Sequence, residues 1–142
     1  MKIIDAAKKS GQFSTLVKII EQAGLTATIN NQGPFTIFAP TDAAFSKFPK
    51  QLLEKLMLPE NNEHLISVLA HHVVFGQHEA DEIAKMSELQ TVEGSNARIE
   101  ANAQNIKVDA ANVTQSDIIA DNGVIHAIDA VIVPESAGSI LN

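Results

Sequence analysis

Residues 36–45 read Thr36-Ile37-Phe38-Ala39-Pro40-Thr41-Asp42-Ala43-Ala44-Phe45, and the order of residue types in this stretch sets the architecture. Phe35 through Ala39 are β-branched, aromatic or small. They are bounded by Gly33-Pro34 on one side and Pro40 on the other, which predicts a short buried strand ended by Pro40. Thr41 is then placed to cap a helix, with Asp42 in its first turn, where the positive end of the helix dipole favours a carboxylate. That helix is brief, because Pro49 follows Phe45 and Phe48 closely.

Toward the N-terminus, Phe13, Leu16, Val17, Ile20 and Ala23 recur at helical spacing and form one apolar stripe over residues 13–23. Gly11 precedes this helix and Gly24 follows it as a C-terminal stop. One further turn is expected at residues 25–29, before the breaker Asn30-Asn31-Gln32-Gly33-Pro34. Toward the C-terminus, residues 51–58 form a second short helix ended by Pro59. Residues 60–74 are expected to be the longest helix, with Leu65, Val68, Leu69 and His72 on one face and Gly76 as its breaker. Residues 79–86 read as a small acidic helix. After Glu88 the apolar period becomes two, as at Ala97, Ile99 and Ala101 and again at Ile106 and Val108. Residues 117–120 and 124–127 flank Asp121-Asn122-Gly123, a hairpin turn in which Asn and Gly accept positive φ. Residues 130–133 make a last strand, closed by Pro134. The sum is an α+β fold with a helix-rich N-terminal half and a strand-rich C-terminal half. Residues 1–136 form a single domain and residues 137–142 a short C-terminal tail.

Bulk properties remove several function classes. The 142 residues include no cysteine, so there is no disulfide and no thiolate to hold metal or attack a substrate. A net charge of −7 opposes phosphate backbones and anionic lipid heads, so no nucleic-acid partner is expected. No apolar run approaches the ~18 residues of a membrane span, and no membrane insertion is expected. With no Trp, no Tyr and six Phe, stacking platforms for bases or sugars are scarce. The opening MKIIDAAKKSGQF carries Lys2, Lys8 and Lys9 with no apolar core after them, unlike a signal peptide.

Two segments, TIFAPTDAAF at residues 36–45 and NGVIHAIDAVIVP at residues 122–134, resemble the two signature segments of the fasciclin domain. Between them, His71-His72-Val73-Val74-Phe75-Gly76 is similar to the family's Tyr-His-Val-Val-Pro-Gly stretch, with His71 and Phe75 as departures. Ile4-Asp5-Ala6-Ala7 and residues 11–25 also fit, so the resemblance covers about residues 3–136. It implies a wedge-shaped β-sandwich of two small sheets with several helices packed along one side. It also implies a non-catalytic role in cell adhesion or surface protein contact, with a surface or matrix protein or a glycan as partner and the domain acting as a monomer. The implied address is extracellular, periplasmic or cell-surface, while the chain as given carries no leader and also fits a cytoplasmic start. In animal members an Asn-Lys-Asp-Ile-Leu stretch is linked to integrin binding. Here it reads Gln115-Ser116-Asp117-Ile118-Ile119, in which Asp117 and Ile118 match. The contact face implied by the resemblance therefore joins His71 and His72 with Asp117 and Ile118.

The residues themselves favour plain roles for the other candidates. Thr41 and Asp42 cap a helix, and Asp129 accepts hydrogen bonds from a turn. His71, His72 and His78 could suggest a metal, but neighbours on a helix point about 100° apart and structural zinc needs four ligands. No metal and no cofactor is expected. His72 and His126 read as structural histidines satisfied through their rings. Neither a nucleophile elbow, a phosphate loop nor a calcium loop occurs, and Ser67 and Ser87 have no evident partner, so the chain does not read as an enzyme. Glu79, Asp81 and Glu82 suit a helix start. The sequon Asn112-Val113-Thr114 is expected to be unused. The leading function is a fasciclin-type adhesion or interaction module. The alternative is a carrier for a small ligand or polysaccharide, which calls for a pocket lined by apolar groups. A hydrolase using His72 or His126 would need a nucleophile beside one of those rings.

Overall fold

A computed structural model describes residues 1–102 and 105–134. The elements run α1 (Ile3–Ser10), α2 (Ser14–Ala23), α3 (Thr26–Asn31), β1 (Phe35–Pro40), α4 (Asp42–Lys47), α5 (Lys50–Leu56), a 3-10 turn (Pro59–Asn61) and α6 (Asn62–Ala70). They continue with β2 (Val73–Phe75), α7 (Ala80–Ile83), β3 (Glu88–Gln90), β4 (Asn96–Ala101), β5 (Ile106–Val108), β6 (Ala111–Ala120) and β7 (Gly123–Ile128). The expected tail, residues 137–142, lies outside the described residues.

The strands hydrogen-bond in the order β2-β1-β7-β6-β5-β4-β3. The central pair, β1 and β7, is parallel from Phe35↔Gly123 to Pro40↔Ile128, and the other pairs are antiparallel. All residues of both central strands are buried. Both faces are covered, which is why each reads as an unbroken apolar run instead of an alternation. Phe35, Ile37, Ala39, Ile125 and Ala127 pack against the helical side with Phe13, Leu16 and Ile20. Phe38 and Ile128 point the other way, into a second cluster with Leu89, Ala97, Ile99 and Val108. The two end strands of the order approach each other, because Val92 N–H donates to Val73 O at 2.7 Å just beyond β3. The resemblance implied two small sheets; the hydrogen bonding runs through seven strands in one nearly closed order.

Several elements depart from the sequence reading. The helix over residues 60–74 stops at Ala70, and Val73 and Val74 leave it to pair with Ile37 and Thr36 of β1. β-branched residues suit that pairing, so Gly76 follows a strand and not a helix. The 10-residue α2 is also longer than the 9-residue α6. The strand expected at residues 130–133 does not form. Helix α1 has no counterpart among the expected elements. Lys2 provides no side-chain cap, and the free N–H groups of Ile3 and Ile4 are met instead by Asn122 Oδ1 at 3.0 Å and Asn30 Oδ1 at 3.2 Å. A helix whose first turn is satisfied from such distant residues gives no local signal.

The β6–β7 turn is where expected, but its mechanism differs. Neither Asn122 nor Gly123 is among the residues with positive φ. Asn122 works through its side chain: besides accepting from Ile3, its amide donates to Ile29 O at 2.7 Å and to Asn30 O and Gln32 O at 3.2 Å each. Gly123 is required by proximity, since a Cβ there would lie 2.1 Å from Phe35 O. Gly123→Ala should therefore force the central ladder apart and destabilise the domain by about 3 kcal/mol or more, in the range of overpacked cores. A urea unfolding midpoint equal to that of the wild type would contradict this account.

Candidate functional site

The carboxylates singled out from the sequence tie segments together. Thr41 Oγ1 accepts from Ala44 N–H at 3.2 Å, as an N-cap does. Asp42 reaches further: Oδ1 accepts from Thr15 N–H at 2.8 Å and Oδ2 from the Ser14 hydroxyl at 2.7 Å, so it caps α2 as well as opening α4. Burial pushes its carboxyl up, but the bonds from Thr15 and Ser14 outweigh this and hold it below its ordinary value. Asp129 accepts from Asn112 N–H at 2.8 Å and from the Asn112 amide at 3.0 Å, pinning the start of β6. Burial again opposes, and the Asn112 bonds and Lys47 prevail to lower it. The side chain of the sequon residue Asn112 is thus engaged with Asp129 and, through its oxygen, with Asn105.

His72 and His126 share one design. His72 is 3% exposed; its Nδ1–H donates to Val68 O at 2.7 Å and its Nε2 accepts from Ile132 N–H at 3.1 Å. His126 is 1% exposed; its Nε2–H donates to His78 O at 2.8 Å and its Nδ1 accepts from Asp117 N–H at 3.1 Å. A carbonyl on one nitrogen and an N–H on the other select one neutral tautomer in each ring. A second proton would be aimed at a backbone N–H. Burial accordingly pushes His72 down to about 4 and lowers His126 as well. The rings staple α6 to residue 132 and join β7 to β6 and residue 78. With both nitrogens engaged by backbone, neither ring is placed to activate a nucleophile.

His71 is also 3% exposed, so it and His72 do not present themselves to a partner; the exposed member of residues 71–76 is Phe75, at 65%. His71 Nε2 lies 3.0 Å from Asp109 Oδ2 and Nδ1 lies 3.1 Å from Ser95 Oγ. This Asp–His–Ser order has the look of a hydrolytic relay, and no spacing in the sequence announced it. The relay fails on one proton. Ser95 donates its hydroxyl hydrogen to Glu93 Oε1 and has none left to hand to the imidazole. Asp109, at φ 53°, also accepts from Arg98 N–H at 2.9 Å. The group is a brace that fastens residues 91–96 to the end of α6.

The outer edge of β6 is different. Strand β5 pairs only with Asn112 and Ala111, so among the described residues 113–119 have a strand partner on the β7 side alone. Register shifts fall between Val113 and Gln115 and between Gln115 and Ile118. Asp117 takes φ 58°, and its Oδ1 accepts from Ala80 N–H at 2.8 Å at the start of α7. Ile118 is half-buried against the helical core, whereas Thr114, Gln115, Ser116 and Asp117 are exposed and Ile119 is 54% exposed. Open grooves flank this edge: one of about 510 Å³ against α1, bordered by Lys9, Gln12 and Ile119, and one of about 350 Å³ toward α7, bordered by Ala84, Asn105 and Ser116. The structure does not bring the implied face together. Strands β1 and β7 separate Val73, next to His72, from Ile118, a span of about 14 Å at ordinary strand spacing.

The profile of the Fasciclin domain family matches residues 11–134. The chain is 39% identical over 134 residues to protein sll1483 of Synechocystis sp., covering 94% of this chain and 74% of that protein. It is 34% identical over 132 residues to transforming growth factor-beta-induced protein ig-h3 of Sus scrofa, covering 93% of this chain and 19% of that protein. A FAS1 domain pair from the insect cell adhesion molecule fasciclin I matches it with a TM-score of 0.83 and 23% identity, over 96% of this chain and 52% of that chain.

The neutral staples give stability a pH dependence of definite sign. The folded value of His72, about 4, lies below its ordinary 6.5. Between those values the unfolded chain binds more protons, so stability falls as the pH falls. The span amounts to about 3 kcal/mol; His126 adds to the loss in the same direction, and Asp42 and Asp129 do so below the ordinary carboxylate range. Urea midpoints should drop between pH 7 and pH 4.5. His72→Gln should be weaker at pH 7 yet lose less on acidification, and parallel pH profiles for the two proteins would refute the assignment.

Proposed function

The chain belongs to the fasciclin domain family, and from that premise we propose that it is a non-catalytic adhesion or interaction module, acting as a monomer outside the cytoplasm by non-covalent recognition of a surface or matrix protein or a glycan. The name of the insect molecule whose domain pair shares this fold, a cell adhesion molecule, supports the reading. No helix among the described residues is long and apolar enough to cross a membrane. The two apolar clusters on opposite faces of β1 and β7 support describing the strands as two small sheets, β2-β1-β7-β6 and β5-β4-β3, packed through Phe38, Ile128 and Val108.

The single observation that carries the proposal is the β6 edge. Among the described residues, 113–119 offer a strand side with no strand partner, exposed polar groups and the exposed Ile119, between two open grooves. The bulged register and the left-handed Asp117 make this a poor template for unselective strand addition. A partner must then fit its side chains and grooves, which suits selective contact. Asp117 and Ile118 belong to this edge, but both also hold the fold, Asp117 through Ala80 and His126 and Ile118 through the core. His71 and His72 contribute indirectly, by fixing residues 91–96 and 132.

The test therefore uses Ile119→Asp and Gln115→Lys. Exposed substitutions of this kind move stability by about 0.5 kcal/mol or less, so melting should be unchanged. Beads coated with the wild-type domain should attach saturably to cells or matrix of the source organism. The double variant should attach at least about tenfold more weakly, the loss of about 1.4 kcal/mol at a contact centre. Equal attachment by a folded double variant would remove the β6 edge, and the lack of any saturable attachment would remove the module reading.

A further inference from the structure

Between α2, α3, α6 and β1 lies an apolar cavity of about 120 Å³. Phe35 and Ile37 of β1 form its floor, and Leu16, Ile20, Ile29 and Leu69 its sides. Among the described residues no polar atom faces it. His72 contributes to the wall, but both its ring nitrogens are already bonded to Val68 O and Ile132 N–H, so it presents carbon. Interiors are normally packed without such gaps, and a space of this size with no hydrogen-bonding group does not hold water well.

The cavity is not sealed. At its outer end stand Leu25, Thr28, Ile66, Ala70, Val73 and Val92, every one of them at least partly exposed. Val92 is 37% exposed, and the 65% exposed ring of Phe75 lies 5.8 Å from the floor ring of Phe35, so apolar surface continues from the interior to solvent. The covering segment, residues 91–95, is attached across this opening by Val92 N–H to Val73 O at 2.7 Å and Glu93 N–H to Ala70 O at 3.3 Å. The His71–Ser95 brace anchors its far end. Directly over the opening, at Val92 and Glu93, the wall is a short surface segment, the part of it best placed to open locally.

We propose that this cavity is a binding site for a compact, uncharged hydrocarbon group: a single aromatic ring or a short branched alkyl end. Its volume is close to that of cavities of roughly 150 Å³, lined by Leu, Ile and Phe, that stay dry and take up benzene or xenon. It is too small for a drug-sized ligand of about 300 Å³ or more, unless the remainder lies outside the mouth between Leu25, Ile66 and Val92. A charged or hydrogen-bonding group is excluded from the interior because nothing there replaces its water. The site is separate from the β6 edge, so its fate does not depend on the adhesion reading.

Toluene is the probe, titrated into the intact domain and followed by methyl carbon–proton NMR. The shifts should be confined to the methyls of Leu16, Ile20, Ile29, Ile37, Ile66 and Leu69. At about ten times the dissociation constant toluene should raise Tm by about 5 °C. Phenol, which adds one hydroxyl to the same ring, should bind at least about tenfold more weakly. Ala70→Leu should fill the cavity and abolish the toluene shifts while melting cooperatively. Should that variant fail to fold, Ile66→Ala provides the opposite test, widening the site and tightening toluene. Scattered or absent shifts up to the solubility limit would overturn the proposal. So would equal binding of phenol, unaltered binding by folded Ala70→Leu, or no gain from Ile66→Ala.

Discussion

The parallel ladder between β1 and β7 is the constraint on which the remaining structure depends. Six residue pairs join segments that lie far apart in the chain, from Phe35↔Gly123 to Pro40↔Ile128. Parallel neighbours cannot be linked by a tight turn, so everything from α4 to the β6–β7 turn is connection between them. Both strands are buried on both faces, which demands a helical layer on one side and the β3–β5 strands on the other. The close approach leaves no room for a side chain at Gly123, and a Cβ on Gly33 would lie 2.9 Å from Asn122 O.

A chain with so many short elements has many backbone groups outside ladders and helices, and each must find a partner. Here polar side chains placed in the apolar interior supply them. Thr36 Oγ1 donates to Gly76 O at 2.7 Å and accepts from His78 N–H at 2.8 Å. Asn122 fastens α1 and α3 to the hairpin, and Asp129 fastens the start of β6. The buried histidines do the same work with a ring that both donates and accepts. The His71–Asp109–Ser95 group follows this logic too, and its likeness to a hydrolytic relay ends at the serine proton.

Function then falls to what the frame leaves over. A shared fold says little about activity, which resides in particular surfaces. Among the described residues, two such features carry the proposals made above: the bulged outer edge of β6 with its grooves, and the apolar cavity beneath residues 91–95. They lie on different parts of the frame and invite different chemistry, one a macromolecular surface and the other a nonpolar group.

Features with local causes were legible along the chain. Strand β1 was legible because an apolar run between prolines has few alternatives. Thr41 declared itself as a cap, α2 was marked by its stripe and by Gly11 and Gly24, and the position of the β6–β7 turn was plain. That His72 and His126 are satisfied structural histidines was likewise readable from apolar neighbours, whereas their neutral state follows from the backbone groups they meet. The remaining features were set by contacts between remote segments. Helix α1 depends on Asn30 and Asn122, and Val73-Val74 becomes a strand because β1 offers it a partner. Residues 131–134 stay irregular, with Ile132 N–H taken up by His72 in place of a strand neighbour. Asn122 needs no positive φ, since its amide binds three carbonyls that its own segment does not contain. His71 is buried between Asp109 and Ser95, which no spacing connects to it. In each case the deciding hydrogen bond or contact comes from residues remote in the chain, and a reading based on neighbours along the sequence has no access to it.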